Sequence, residues 1–290
     1  MRLGQRFTLP DGRSLGYDEY GSENGRPVFY FHGTPSSRLD LSIFSDNDTI
    51  EKLGVRIIAV DRPGCGLSDY QKKRKISDWP KDISALADDL GLDRFAVMGW
   101  SGGGPYALAC ARFLPDRVSA TAVVSCMGPH EVPGLYYDVN SPIMKFLKVN
   151  KKWPIIGTII DRMFIFGANS SPDKFMRKTL AVLPAVDRDL MSIPEITRKY
   201  IGTLNECFRT GFRGCQKDAA LMIGPWDFDL KEIKVPVHLW HGEQDVQSPS
   251  VMGRWIANNL SDCRAEFFPE EGHISLLANH FKTIVSCLVV

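Results

Sequence analysis

The sequence predicts an α/β fold, a doubly wound and mostly parallel sheet of eight strands with a helical cap inserted into it. Three observations predict this class. Short, almost continuous apolar runs recur along the chain, helix-compatible segments separate them, and one long aromatic segment interrupts the alternation. Such apolar runs are typical of strands buried on both faces of a parallel sheet. Strands that alternate with helices predict right-handed crossovers and helices on both faces.

The elements follow in chain order. An antiparallel hairpin is predicted at 7–10 and 15–20, around the turn signal Asp11-Gly12. The buried strands are predicted at 28–31, 56–60, 95–98, 122–124, 235–240 and 265–268. The helices between and after them are predicted at about 41–53, 77–90, 102–113, 249–259 and 274–289.

The alternation breaks between the fourth and fifth buried strands, where about a hundred residues intervene. This segment has helix-like stretches punctuated by prolines, and it is too apolar to be a linker. It is rich in aromatic residues, among them Tyr136, Tyr137, Phe146, Trp153, Phe164, Phe166, Phe175, Phe208, Phe212, Trp226 and Phe228. We therefore expect residues 1–127 and 233–290 to form the core and residues 128–232 to form a helical cap.

Composition and charge restrict the classes of molecule that the protein is expected to bind. The 290 residues are 44% hydrophobic and 24% charged, and 35 Lys and Arg nearly cancel 34 Asp and Glu. Because this balance creates no global field, we expect a small-molecule substrate and neither a nucleic acid nor an anionic membrane as partner. Two local basic clusters, Lys72 to Lys75 and Lys145 to Lys152, are interpreted as solvated faces because stacking aromatics are not interleaved with them.

Cysteines and hydropathy indicate the compartment. The seven cysteines are odd in number and form no Cys-x-x-Cys pair, which argues against a disulfide framework and against a zinc ribbon. The first residues lack the apolar core of a signal peptide, and the apolar C-terminal stretch is interrupted by polar residues. We expect a cytoplasmic protein without a membrane span; the oligomeric state stays open.

The strongest chemical signal is Gly99-Trp100-Ser101-Gly102-Gly103, a Gly-x-Ser-x-Gly sequence. The pentapeptide alone is a weak signal, but it lies directly between a predicted strand and a predicted helix. A serine on such a sharp turn exposes its hydroxyl, and the flanking glycines avoid collisions with neighbouring backbone. Ser101 is therefore the predicted nucleophile, with a simple helix N-cap as the alternative.

A serine nucleophile needs a base and a group that orients the base. Asp245 follows the strand predicted at 235–240, and His273 follows the strand predicted at 265–268. The order Ser, Asp, His, with each residue just past a strand's carboxyl end, predicts that the three meet at one edge of the sheet. Glu243 is the rival carboxylate.

With these residues in place, the sequence resembles the α/β-hydrolase superfamily over nearly the whole chain. Phe31-His32-Gly33-Thr34-Pro35 resembles the family's oxyanion turn, and Asp61-Arg62-Pro63-Gly64 begins a stretch similar to its loop after the fourth strand. The resemblance implies that the backbone amides of Thr34 and Gly102 hold the oxyanion. His32 is interpreted as structural and Asp61 as a turn former that binds nearby amides. The substrate is expected near His32 and the cap.

Other chemistries have weaker support. His238 and His241, three apart on a strand, are expected on opposite faces, and no His-Glu-x-x-His or phosphate-binding glycine loop is present, so we expect no metal and no cofactor. Epoxide hydrolases and haloalkane dehalogenases of the family need an aspartate where Ser101 stands. Haloperoxidase-like members usually have methionine where Gly102 stands.

The predicted function is cleavage of an ester, lactone or thioester of a small apolar substrate through an acyl-serine intermediate. Two alternatives stay open. One is carbon–carbon bond cleavage or formation with His273 as general base, and the other is a ligand-binding receptor on the same scaffold, because fold does not determine function.

Overall fold

A computed structural model describes residues 1–129, 132 and 142–289. Its eight strands form one sheet. They are β1 (Arg2–Thr8), β2 (Ser14–Gly21), β3 (Arg26–Phe31), β4 (Val55–Val60), β5 (Phe95–Trp100), β6 (Val118–Val124), β7 (Val237–Gly242) and β8 (Cys263–Phe268).

The strand order is β1-β2-β4-β3-β5-β6-β7-β8. The β1/β2 and β2/β4 pairs are antiparallel, and every later pair is parallel. All residues of β4 and β5 are buried, as expected for central strands covered on both faces. The predicted eight-stranded, mostly parallel sheet is confirmed.

Helices cover both faces of this sheet. Before β6 the chain forms α1 (Leu41–Phe44), α2 (Asn47–Lys52), α3 (Trp79–Asp89) and α4 (Gly104–Phe113). The core around Leu86, Tyr106 and Ile256 lies on one face, and the core around Leu41, Ile50 and Leu277 lies on the other. The doubly wound arrangement follows from these two separate apolar layers.

One predicted helix is divided. The segment predicted as a single helix at 41–53 forms α1 and α2, because the Asp46 side chain accepts the Thr49 amide at 2.7 Å and starts a new helix. An N-cap carboxylate satisfies amides that a continuous helix would have bonded to the preceding turn. The other predicted helices differ from the observed ones by a few residues at their ends.

Between β6 and β7 the described chain is helical. Its helices are α5 (Pro142–Lys152), α6 (Pro154–Ser170), α7 (Pro172–Leu180), α8 (Ala185–Met191), α9 (Pro194–Cys207) and α10 (Arg213–Met222). We call residues 142–222 the helical segment. Four of these helices begin with proline and Pro184 is the N-cap of α8, positions at which the missing amide hydrogen costs nothing. The chain then returns to the sheet and ends with α11 (Ser250–Asn259) and α12 (Ser275–Cys287).

Part of the predicted cap lies outside the described residues, including Tyr136 and Tyr137, and so does the side chain of Phe146. The boundaries between core and cap, after residues 127 and 232, stay predictions.

Candidate active site

Ser101 lies in the turn between β5 and α4. Its φ is 53°, in the left-handed region that non-glycine residues rarely adopt. Two of the neighbouring glycines are required by close approach. A Cβ at Gly99 would lie 2.4 Å from Gly103 O, and a Cβ at Gly103 would lie 2.0 Å from Phe31 O. The turn is therefore strained and tightly packed, as the Gly-x-Ser-x-Gly pattern predicts.

The loops after β7 and β8 bring Asp245 and His273 together. His273 Nδ1 lies 2.7 Å from Asp245 Oδ2, and both side chains are buried. Asp245 Oδ1 accepts the amides of Gln247 and Ser248, each at 2.8 Å, so the carboxylate is held on its other side as well. When His273 Nδ1 donates its hydrogen to Asp245, Nε2 carries the lone pair and can accept a proton.

Glu243, the rival carboxylate, points elsewhere. It accepts a hydrogen bond from Ser250 Oγ at 2.5 Å and pairs with Arg254. Asp245 rather than Glu243 therefore contacts His273.

Burial and charge act in opposite directions on this pair. Burial disfavours the imidazolium, but the charge and hydrogen bond of Asp245, with the charge of Asp187, outweigh it and raise the pKa of His273. For Asp245, burial opposes ionisation, whereas the His273 charge and hydrogen bonds dominate and lower its pKa. The carboxylate is therefore ionised at neutral pH and stabilises a proton on His273.

Two neighbours that the sequence analysis missed complete this contact. Ser248 Oγ donates to Ser125 O at 2.7 Å and lies 3.0 Å from Asp245 Oδ2. The Trp100 indole donates to His273 O at 3.2 Å, and the two rings are 5.2 Å apart. Trp100 stands at the variable position of the glycine-serine motif, but nothing in the sequence pairs it with His273.

A third missed residue comes from the helical segment. The buried carboxylate of Asp187, in α8, accepts the backbone amides of His273 at 2.8 Å, Ile274 at 3.0 Å and Ser275 at 2.9 Å. These amides begin α12 and have no partner within that helix. Asp187 therefore fixes the backbone from which the His273 side chain extends. No local pattern indicates this contact, because 86 residues separate Asp187 from His273.

Thr34 and Gly102 face each other across the site. A Cβ at Gly102 would lie 2.6 Å from Thr34 Oγ1, so a glycine is needed where the two turns meet. Arg62, fully buried, holds the Thr34 turn by donating to Gly33 O at 2.8 Å and to Thr34 Oγ1 at 2.6 Å. Asp40 holds the opposite side by accepting the Gly33 amide at 3.0 Å.

Arg62 is balanced by Asp218 of α10, 2.7 Å away. Asp218 also pairs with Arg74 and accepts the Tyr106 hydroxyl at 2.9 Å. Arg74 is only 2% exposed, so the interpretation of Lys72 to Lys75 as a solvated face is wrong for this residue. The buried carboxylate of Asp218 stabilises Arg74 inside the protein. The sequence does not indicate this pair, because the two residues are far apart in the chain.

His32 is hydrogen-bonded to backbone groups, which is consistent with a structural role. Its Nδ1 lies 2.8 Å from Gly33 O, and its Nε2 accepts the Arg62 amide at 3.2 Å. Burial, with the charge of Arg62, lowers the pKa of His32 well below its usual value. Asp61 accepts amides as expected, those of Leu67 and Arg38, and also pairs with the Arg38 side chain at 2.8 Å.

Ser101, His273 and Thr34 line one cavity of about 900 Å³. Asp245 lies behind His273, and His32 is not among the lining residues. Much of the wall is apolar and comes from the helical segment, including Phe164, Phe175, Met191 and Tyr200; Lys145, Lys174 and Lys178 also line the cavity. Within the described ranges, no group of three or more His, Cys, Asp or Glu side chains is arranged to hold a metal ion.

A serine on a strained strand-to-helix turn, beside a histidine held by a carboxylate, defines a hydrolase-type site at the carboxyl edge of an α/β sheet. The model of the alpha/beta hydrolase family matches residues 28–285. The chain therefore belongs to this family.

Curated relatives include ester hydrolases. The chain is 29% identical over 280 residues to a bifunctional esterase/perhydrolase of Acinetobacter calcoaceticus, covering 92% of this chain and 91% of that protein. It is 26% identical over 268 residues to a pimeloyl-[acyl-carrier protein] methyl ester esterase of Legionella pneumophila, covering 90% and 92%. A 36% identical match to a non-heme chloroperoxidase of Streptomyces lividans covers 42% of this chain and 44% of that protein. The chain is an enzyme of the ester-hydrolase type.

Solved structures share the fold. An esterase from Exiguobacterium antarcticum superimposes with a TM-score of 0.70 at 21% identity, covering 99% of both chains. An enol-lactonase from Burkholderia xenovorans LB400 gives a TM-score of 0.68 at 18% identity, covering 98% of this chain and 99% of that chain. In the described part of the chain, no helix is both long enough and apolar enough to cross a membrane.

Proposed function

We propose that the protein hydrolyses an ester, lactone or thioester of a small apolar substrate through an acyl-serine intermediate. The observation that supports this most directly is the buried Asp245–His273 pair, 2.7 Å apart, whose His273 lines the same cavity as Ser101. His273 Nε2 removes the hydroxyl proton as Ser101 Oγ attacks the carbonyl carbon. The proton then passes to the leaving group.

In the second half of the reaction, water donates a proton to His273 and attacks the acyl-serine; His273 then returns that proton to Ser101 Oγ as the acid leaves, which restores both residues. Ionised Asp245 stabilises the imidazolium in both halves. The amides of Thr34 and Gly102 are the proposed donors to the oxyanion, and each well-aimed donor contributes about 3 kcal/mol to lowering the barrier. Arg62 and Asp40, which hold the 33–34 turn, would keep the Thr34 amide in place.

We propose further that residues 128–232 act as a cap that selects the substrate. Its described helices supply the apolar wall opposite Ser101, including Phe164, Phe175 and Met191. A volume of about 900 Å³ lies within the range of small-molecule sites, about 300–1,000 Å³. A cytoplasmic location and the absence of a cofactor stay predictions.

A small fluorophosphonate tests this proposal without knowledge of the substrate. We expect a covalent adduct on Ser101, located by peptide mass spectrometry, and its loss in Ser101→Ala and His273→Ala. His238→Ala is the matched control, because His238 is a half-buried histidine of β7 that does not line the cavity. No adduct on folded protein with this probe or with a smaller sulfonyl fluoride would refute the acyl-serine mechanism and favour carbon–carbon chemistry or a receptor.

A further inference from the structure

The outer face of α6 is apolar where a surface helix is normally polar. Of the fifteen large apolar side chains exposed in the described residues, seven lie between Trp153 and Phe166. Within α6, Ile155 is 80% exposed, Ile159 55%, Met163 69% and Phe166 72%. Their spacing of four, four and three residues aligns them on one face of the helix. We call these four residues the apolar stripe.

The inner face of α6 is only partly apolar, because it includes a charged side chain beside Phe164 and Ile165. Asp161 is fully buried and accepts hydrogen bonds from Asn150 at 3.2 Å and Gln216 at 3.1 Å. A helix that places a carboxylate inward and four of its large apolar side chains outward is not amphipathic in the sense expected beside water. An exposed apolar patch of this kind marks an interaction surface.

The charge around the stripe indicates the partner. Residues 142–182 contain eight Lys and Arg but only two acidic residues, one of them the buried Asp161, and so carry a net charge of +6. Because the whole chain carries +1, the remaining residues carry −5. The near-neutral total therefore conceals a basic pole. Lys145, Lys148, Lys151 and Lys152 of α5 are all exposed, and so are Lys174 and Lys178 of α7.

Trp153 joins the two features. It connects α5 to α6, is 49% exposed, and its ring lies 4.7 Å from the Lys152 ammonium. Tryptophan and lysine side by side at the edge of an apolar face are typical of the boundary between lipid headgroups and acyl chains. An anionic bilayer would match both the apolar stripe and the surrounding positive charge.

We propose that the apolar stripe, flanked by the lysines of α5 and α7, docks on the surface of an anionic phospholipid bilayer. In this orientation α6 lies in the plane of the interface, with its apolar face about 5–10 Å below the headgroups. Met163 and Phe166 belong both to the stripe and to the cavity wall. Docking would therefore place the cavity opening against the lipid, so that an apolar substrate enters without crossing water. The docking does not depend on the proposed hydrolysis.

Vesicle flotation with the full chain tests the proposal. We expect the protein to float with vesicles of equimolar phosphatidylcholine and phosphatidylglycerol, to bind pure phosphatidylcholine at least about tenfold more weakly, and to dissociate in high salt. The Trp153 emission should shift to the blue with the anionic vesicles, and Trp153→Phe should abolish that shift. Failure of monomeric protein to float with anionic vesicles would overturn the proposal.

Matched variants separate the two contributions. Ile155→Ser with Ile159→Ser should weaken binding at least about tenfold, since neither residue lines the cavity and each exchanges an apolar contact for a polar one. Ile193→Ser with Val251→Ser, two exposed apolar residues elsewhere, should leave binding unchanged.

Lys151→Glu with Lys152→Glu should also weaken binding about tenfold or more. Lys72→Glu with Lys73→Glu changes the net charge equally at another exposed site and should have little effect. Equal losses in the two charge pairs would overturn the specific surface. So would a dimer in solution that the double serine variant at 155 and 159 converts to monomer, because the stripe would then be an interface between two copies.

Discussion

The strand-end loops and the helical segment hold His273 in different ways. Asp245, after β7, contacts the imidazole ring, whereas Asp187, in α8, contacts only the backbone amides at the start of α12. The first contact acts mainly on the protonation of the ring, and the second acts mainly on where the ring lies, although the charge of Asp187 also raises the pKa of His273. The core therefore supplies the chemistry of the proposed base, and the helical segment supplies part of its position.

The largest expected effect comes from the ring contact. Asp245→Asn should lower kcat/KM for a small ester by roughly 10³–10⁴-fold, because an amide NH₂ facing His273 Nδ1 favours the tautomer whose Nε2 is protonated. Hydrolysis of a 4-nitrophenyl ester measures it. Glu243→Gln is the control, and an equal loss there would refute the assignment of Asp245.

The pH profile of activity tests the direction in which Asp245 shifts the pKa of His273. The proposed base must be neutral, so wild-type activity should fall as the pH falls through a His273 pKa that is raised above its usual value. Asp245→Asn removes the charge that raises it, so the acidic limb of the residual activity should move to lower pH. An unchanged limb would mean that the titrating group is not His273.

The next effect is on stability and tests whether the helical segment is tied to the core. Asp218→Asn leaves Arg62 and Arg74 buried without a counter-charge and should lower the free energy of unfolding by about 3–5 kcal/mol. Glu232→Gln removes the exposed ion pair with Arg112 and should cost about 1 kcal/mol or less. Urea denaturation followed by circular dichroism compares the two variants. A similarly small loss of unfolding free energy in both would show that the buried ion pairs of Asp218 do not tie the helical segment to the core.

The stability that Asp218 contributes through Arg62 and Arg74 should depend on pH in one direction. The two arginines hold the pKa of Asp218 far below its usual value although burial opposes ionisation. Its contribution to stability is therefore present above the pKa of the unfolded chain and is lost as the pH falls below it. Wild type and Asp218→Asn should converge in stability under acidic conditions.

A smaller effect is expected from the backbone contact. Asp187→Ala should lower kcat about 10–100-fold with a lesser change in KM, because the His273 loop loses the acceptor that positions it. The acidic limb should move to lower pH, since the charge of Asp187 also raises the His273 pKa. Asp189→Ala, on the exposed face of the same helix, is the control. Normal kcat in Asp187→Ala would show that α12 holds His273 without help.

The smallest effect is on the pH dependence of stability and concerns Asp161 of α6. Burial raises the pKa of Asp161 to about 6, so the stability that it contributes is present below the unfolded pKa and is lost as the pH rises through about 6. Asp161→Asn does not titrate, and its Tm relative to wild type should rise by up to about 3 °C across this range. Asp173→Asn, exposed on α7, should show no such change; a parallel change would contradict the burial of a titrating carboxyl.

Much of the candidate site could be predicted because its signals are local. Ser101 is indicated by glycines within two positions, and Asp245 and His273 are indicated by the strands that precede them. The predicted strands match the observed ones apart from their ends, except the first, which was predicted at 7–10 and is observed at Arg2–Thr8. Asp187 and Trp100 could not be assigned to the site, because each acts through a contact with residues far away in the chain. Ser248 lies three residues from Asp245, but no sequence motif marks its contact with that carboxylate.

The sequence by itself determined the type of sheet, most of its strand segments and the sheet edge on which Ser101, Asp245 and His273 were expected, because apolar periodicity and turn chemistry act over a few residues. Only the tertiary structure decided that Asp187 and Asp218 fasten the helical segment to the core, and that Ile155 and Phe166 face outward while Arg74 lies inside. Burial is a property of the assembled fold, because the identity of an isoleucine or an arginine does not by itself specify whether its side chain faces the core or the solvent.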